Sequence, residues 1–185
     1  LLIFFVLIIS ASEIQTGKME QIVESISENR PRESLREAEK AVQEALVQQE
    51  LTDSVRVDRT DQGLELVFDS GVTFASGAAD ILPPMEAPLA KILQVLKPYS
   101  GKYRVAVEGH TDERPISNSI YKSNWELSSA RAMRIRERLE VEGFDGRQIR
   151  VEAYANNKPL PAELGANLDR EAFLAKHRRV VIRLH

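Results

Sequence analysis

Apolar residues along this chain change their spacing several times, and each change marks an element. Residues 1–9 (LLIFFVLII) form an unbroken apolar run, about half of the ~20 residues that a membrane-spanning helix needs. Three readings compete. The run suits the tail of a signal peptide, although no basic start precedes it and no small-x-small cleavage site clearly follows. It also suits a buried core segment, or the outer half of a transmembrane helix that begins upstream. The direct passage into polar sequence at Ser10 favours the last, and with it a chain that continues N-terminally. Met19, Ile22, Val23 and Ile26 then fall at i, i+3, i+4 and i+7, with Lys18, Glu20, Gln21 and Glu24 off the stripe. That is a short amphipathic helix. Pro31 suits the first position of a second helix. Its stripe of Leu35, Ala38, Val42, Ala45 and Leu46 is narrow and alanine-rich. This second helix is read as a spacer with a dimer contact, from about 32 to 49.

From Asp53 the period drops to two. Val55 and Val57 alternate with Arg56 and Asp58, and Leu64, Leu66 and Phe68 follow the same rule after the turn Thr60-Asp61-Gln62-Gly63. This predicts a hairpin. Residues 68–80 read as a small-residue loop anchored by Phe74. Pro83-Pro84 opens a helix with Leu89, Ile92, Leu93 and Leu96 on one face, ended by Pro98 and Gly101. A strand over 103–108 leads to a polar loop and then to a helix from about Asn124 to Glu142, whose start is marked by Ser123 and Glu126 in capping-box spacing. Ile149, Val151 and Ala153 predict another strand. A polar insert with Pro159, Pro161 and Gly165 follows, and a last strand carries Val180, Ile182 and Leu184. The order gives an α+β fold, a mixed sheet with helices packed on one face. The chain divides into 1–11 (half-span), 12–50 (amphipathic and linker helices) and 51–185 (globular domain).

The net charge of −3 over 185 residues gives no footprint for nucleic acid, which calls for a concentrated basic surface. Cysteine is absent, so there is no disulfide framework and no thiolate metal site. His110, Asp112 and Glu113 share one loop, but zinc normally takes three or four converging ligands, and nothing in the spacing brings His177 or His185 there. Ser117, Ser119 and Ser123 lack the glycine frame of a nucleophile elbow. The chain therefore reads as a non-enzyme with no metal and no cofactor. His110 reads as a strand-end residue that holds the loop by hydrogen bonds.

The informative stretch is 105–132, VAVEGHTDERPISNSIYKSNWELSSARA. Asp112 alone would read as a cap for the following turn. With Arg131 on the second turn of the next helix, it pairs a carboxylate and a guanidinium on two rigid elements. Such a pair can grip a zwitterion, the acid taking an ammonium and the guanidinium forking onto a carboxylate. The other arginines of that helix (Arg134, Arg136, Arg138) read as a solvated face balanced by glutamates. Arg131 is expected to face the loop as an exposed side chain that adds little to stability.

GHTD, then Asn124, Leu127, Ser128, Arg131 and Ala132 in N-x-x-L-S-x-x-R-A, then Arg178-Arg179-Val180, resembles the OmpA-like peptidoglycan-binding domain over roughly 51–185. The resemblance implies that Asp112 and Arg131 hold the ammonium and carboxylate of meso-diaminopimelate in the peptidoglycan stem peptide. Thr111, Asn124, Leu127 and Arg179 complete the motif site. Two departures stand out. The loop from Asp112 to Asn124 is long, as in flagellar stator members, and His177 stands where N-R-R-V members have asparagine.

The apolar run and amphipathic stripe ahead of this domain look like those of MotB/PomB-type stator subunits. That likeness implies a homodimeric, single-pass protein of the bacterial inner membrane with its C-terminal domain in the periplasm. It implies a MotA/PomA-type channel partner and a share in the ion path, with the ion-carrying aspartate upstream of Leu1. Met19, Ile22, Val23 and Ile26 would then be a plug that blocks ion flow, the other reading being an ordinary juxtamembrane helix. Two alternatives stay open: a stator-like subunit of a non-flagellar ion-driven motor, and an OmpA/Pal-type cell-wall tether with no ion role.

Overall fold

The computed structural model describes residues 33–185. The expected half-span at 1–9 and the stripe Met19, Ile22, Val23 and Ile26 lie outside the described residues. No helix among the described residues is long and apolar enough to cross a membrane. The chain divides into two compact units, one ending at Glu37 and the other spanning Ala38–His185; the second carries the sheet and the candidate site.

Residues 33–48 are helical (α1). Within the second unit, its Ala38, Val42, Ala45 and Leu46 are at most 8% exposed. The carbonyl of Leu46 accepts from the Leu51 amide at 2.9 Å and closes the helix into the domain. Four of the five residues of the stripe read as a spacer with a dimer contact are thus covered in a single chain, and Leu35 is half-buried.

The period-two stretches form β1 (Val55–Thr60) and β2 (Gly63–Asp69), paired antiparallel through a tight turn. Gly63 at that turn has φ +126°, and a Cβ there would lie 1.9 Å from the Leu184 carbonyl oxygen, so glycine is required. Asp69 caps a four-residue helix α2 (Ser70–Thr73) by accepting from the Gly71 amide at 2.7 Å. Phe74 follows at 2% exposure. The expected loop anchor is therefore in the core, and part of the expected loop is helical. Then come α3 (Pro83–Leu96), β3 (Val105–His110), α4 (Asn124–Val141) and β4 (Ile149–Ala155). A short helix α5 (Arg170–His177) precedes β5 (Arg179–Leu184).

The insert read as irregular thus holds a helix. Asp169 is its N-cap, accepting from the Ala172 amide at 2.7 Å, and Phe173 and His177 meet edge to face one turn apart. His177, the residue in the asparagine position, is buried and its Nδ1 lies 2.9 Å from the Phe173 carbonyl oxygen.

The five strands run in the order β1-β2-β5-β3-β4; only β3 and β4 are parallel, joined through α4. Leu64, Leu66, Phe68, Val105, Val107, Val180, Ile182 and Leu184 form one apolar face of the sheet. Helix α4 packs on β3 and β4 from that side, and Gly109 sets how close it comes. A Cβ at Gly109 would sit 2.1 Å from the Ser128 carbonyl oxygen.

The opposite face carries charge. Glu108 lies 2.7 Å from Arg183 Nη1 and 3.4 Å from His110 Nε2, and Arg183 also reaches Glu65 at 2.9 Å. Burial alone would raise the Glu108 carboxyl, but His110, Arg183 and Lys158 together hold it below the usual range. His110 is pushed down, chiefly by its burial. Its ring stacks on Tyr154 at 5.3 Å between centroids, and neither ring nitrogen has a hydrogen-bond partner among the described residues. It supports the strand end by packing on Tyr154, not by hydrogen bonds to the loop as expected.

Candidate ligand cleft at the end of strand β3

A bulge between Gly109 and His110 ends the regular pairing of β3 with β4. The chain then turns out over the apolar face, and the Thr111 amide donates to the Ala155 carbonyl at 2.8 Å. Asp112 is 6% exposed. Its Oδ1 accepts from the Arg114 amide at 3.1 Å, the turn cap that its identity alone suggests. Its Oδ2 accepts from Arg178 Nη1 at 2.7 Å. Asn124 does not turn its amide nitrogen to the open cleft: Nδ2 donates to the carbonyls of Asp112 and Arg114 at 3.2 and 2.9 Å and fastens the loop to the start of α4. Ser123 caps that helix by accepting from the Glu126 amide, while Glu126 reaches back to the Lys122 amide. Helix start and loop are therefore locked together.

Arg131 lies across the cleft, and here the expectation of an exposed side chain is overturned. It is 4% exposed. Its Nε donates to the Ala78 carbonyl at 2.9 Å and Nη2 to that of Ala75 at 3.4 Å, with the guanidinium 5.2 Å from the Phe74 ring centroid. The segment after α2 wraps over the arginine because its small residues let backbone carbonyls approach. Among the described residues Arg131 makes no ion pair. Burial, with repulsion from Arg178, lowers its pKa to about 10, so it stays charged at neutral pH.

These residues line a cleft of ≈ 430 Å³ that also includes Thr111, Leu127, Arg114, Glu171 and Arg178. Thr111 and Leu127 are buried in its wall at 4% and 5% exposure. Arg114 grips Glu171 through both guanidinium nitrogens, and Arg170 pairs with Glu113 at 2.8 Å, so α5 and the loop are tied by two crossed ion pairs. The charged lining is three guanidiniums and two carboxylates. The uncompensated positive charge sits on the buried Arg131.

One motif residue is elsewhere. Arg179 lies outside this cleft; its guanidinium donates to the carbonyls of His177 and Lys158, both at 3.2 Å. Strand parity explains this. Val180, Ile182 and Leu184 face α4, so Arg179 faces the charged side while Arg178 swings to Asp112. Counting back by two from Val180 selects Arg178. Glu171 was not readable in this way, because it belongs to the helix hidden in the insert.

Residues 73–170, more than half of the chain, match the OmpA family. The chain belongs to that family. Motility protein B of Bacillus subtilis is 30% identical over 129 residues, covering 69% of this chain and 49% of that protein; the chain thus spans about half the length of that relative. Among solved structures, a MotB-like protein from Desulfovibrio vulgaris superposes with a TM-score of 0.71 at 21% identity, over 83% of this chain and 94% of the other. The cell wall anchor of the T6SS from Pseudomonas aeruginosa gives 0.65 at 28% identity, over 76% and 94%. The OmpA-like domain of this chain therefore has the MotB-type fold, with the α+β architecture its periodicities predict.

Proposed function

We propose that this OmpA-family domain anchors an ion-driven stator to peptidoglycan by gripping the zwitterionic centre of a diaminopimelate stem peptide. Asp112 takes the ammonium and Arg131 the carboxylate. The observation that carries this reading is the buried guanidinium of Arg131, held in place by two backbone carbonyls with no carboxylate beside it. Leaving a buried charge without a counter-ion is costly; a ligand carboxylate supplies one, and the remaining N–H groups of the fork suit its geometry. Asn124 and Thr111 hold the loop that carries Asp112, and Leu127 gives the cleft an apolar wall. Arg178 replaces Arg179 as the R-R-V residue at the site.

Anchoring takes no chemistry. It takes affinity for an immobile, repeated ligand, and a homodimer would add avidity. The likeness to Motility protein B supports a single-pass inner-membrane subunit with this domain in the periplasm, paired with a MotA/PomA-type channel subunit and sharing its ion path. The plug role of Met19, Ile22, Val23 and Ile26 belongs to the same proposal. The likeness to a T6SS cell wall anchor favours one second reading, a wall tether for another machine with no ion role.

Both readings share the wall ligand, so the first experiment is co-sedimentation of the full 185-residue chain with purified sacculi, against a control without sacculi. Binding supports anchoring; pelleting equal to the control contradicts it. Pull-down of a MotA-type channel subunit then separates the stator from the tether.

A further inference from the structure

A second concavity lies on the charged side of the sheet, away from α4. It is a groove of ≈ 350 Å³ between the outer side chains of β1–β2 and the segment 160–176, within the size range of small-molecule sites. It shares no lining residue with the Asp112–Arg131 cleft. Helix α5 divides the two: Glu171 faces the cleft, whereas Phe173 and Lys176 face the groove.

The walls are apolar. Leu160, Leu164, Leu168 and Phe173 line one side, and Leu164 and Leu168 stay 55% and 40% exposed. Set in this lining is Arg179, a charged side chain only 9% exposed. Two of its five N–H groups go to the carbonyls of His177 and Lys158, and among the described residues it makes no ion pair. Burial lowers its pKa to about 10. The exposed Lys176 lines the same groove, while the charged groups acting on Arg179 are Glu108, Arg56 and Glu65. The groove's remaining charged groups are Arg56, which pairs with Asp58, and the carboxylates of Asp53 and Asp69. With Asp58 on Arg56 the three cations and three carboxylates leave no excess charge, so the one buried fork with open N–H groups, that of Arg179, fits a single carboxylate better than a dianion.

A buried cation beside exposed leucines has the chemistry of a site for an anionic head on an apolar body. We propose that this groove binds an amphiphilic monocarboxylate, its head on Arg179 and its apolar body against Leu160, Leu164, Leu168 and Phe173. A guanidinium that only stapled the carbonyls of His177 and Lys158 would make no distinction between a carboxylate and its amide. A binding guanidinium would.

The test is a titration of the full 185-residue chain, with ¹³C-labelled leucine methyls, by octanoate and in parallel by octanamide. Octanoate should move the Leu164 and Leu168 methyls saturably, and octanamide should bind about tenfold more weakly, the loss expected when one charge-assisted hydrogen bond goes. Arg179→Gln should reduce octanoate to the level of octanamide. Should that variant not fold, Leu164→Asp at an exposed position should abolish the octanoate shifts. The proposal is overturned if octanoate and octanamide act alike, if no groove leucine responds, or if Leu164→Asp or a folded Arg179→Gln leaves the octanoate titration unchanged.

Discussion

Arg178 Nη1 lies 2.7 Å from Asp112 Oδ2, so the carboxylate proposed to receive a ligand's ammonium already holds a cation from 66 residues away. Asp112 is almost fully buried, whereas the Arg178 side chain is 31% exposed. Removing the arginine would leave a buried carboxylate short of its charged partner. Arg178→Gln should therefore cost roughly 1–2 kcal/mol in urea unfolding, the range discounted for the solvent that reaches Arg178. Arg114→Gln removes a pair exposed on both sides and should cost less than Arg178→Gln. Equal costs would show that the Asp112 pair is no better shielded than a surface pair.

Arg131 is a structural residue as well as a proposed site residue. Arg131→Ala would strip the Ala78 carbonyl of its guanidinium donor, leave the Ala75 carbonyl only the Ala78 amide, and open a gap beside Phe74. A loss of roughly 2–4 kcal/mol follows from the lost hydrogen bonds and the cavity together, read as a lower urea midpoint with unchanged slope. Arg131→Lys keeps the charge but not the fork and should lose less stability. A null effect of Arg131→Ala would mean that the guanidinium is not held as described.

Gly109→Ala should be among the most damaging single-methyl changes in the domain. Its Cβ would meet the Ser128 carbonyl at 2.1 Å, and backbone on both sides cannot yield without moving α4 off β3. Overpacking of this kind costs about 1–3 kcal/mol or more. Gly101 is the control, since a Cβ there meets nothing within 4 Å; Gly101→Ala should be close to neutral. Thermal unfolding of the two variants checks the contrast.

His110 predicts a pH dependence. Its folded pKa lies below 6.5 because burial disfavours the imidazolium. As pH falls through 6.5 the unfolded chain binds a proton that the folded chain does not, so stability should fall from pH 7 downward. His185 is lowered too, by burial and by Arg150, Arg183 and Arg104, and acts in the same direction. Glu108, held below 4.5, contributes stability that is lost only at lower pH, outside the histidine window. In a His185→Gln background, His110→Gln should flatten the unfolding free energy between pH 7 and 5. A slope unchanged by His110→Gln would place the imidazole in solvent.

The periodicities showed β2 most clearly, because its buried Leu64, Leu66 and Phe68 alternate with half-exposed positions, whereas β3 is buried at every position. Helix α4 was legible from Ser123 and Glu126 in capping-box spacing. Helix α5 was not: its eight residues hold only two apolar anchors of any size, Phe173 and Leu174, and the prolines before it read as loop. The placements of Arg131 and Arg179 were missed for one reason. Sequence marks a guanidinium as polar, and only the fold reveals the backbone carbonyls that make its burial tolerable. Parity along β5 did contain the choice of Arg178 over Arg179.

The grip proposed for the cleft holds a zwitterion at two points, Asp112 and Arg131. It is tested most directly by sacculus co-sedimentation of the full chain with increasing free meso-diaminopimelate, beside Asp112→Asn and Arg131→Lys, after circular dichroism shows both variants folded. Free diaminopimelate should release the wild-type chain from sacculi, and both variants should bind weakly from the start. Sacculus binding that persists in either folded variant, or that free diaminopimelate does not displace, would contradict it.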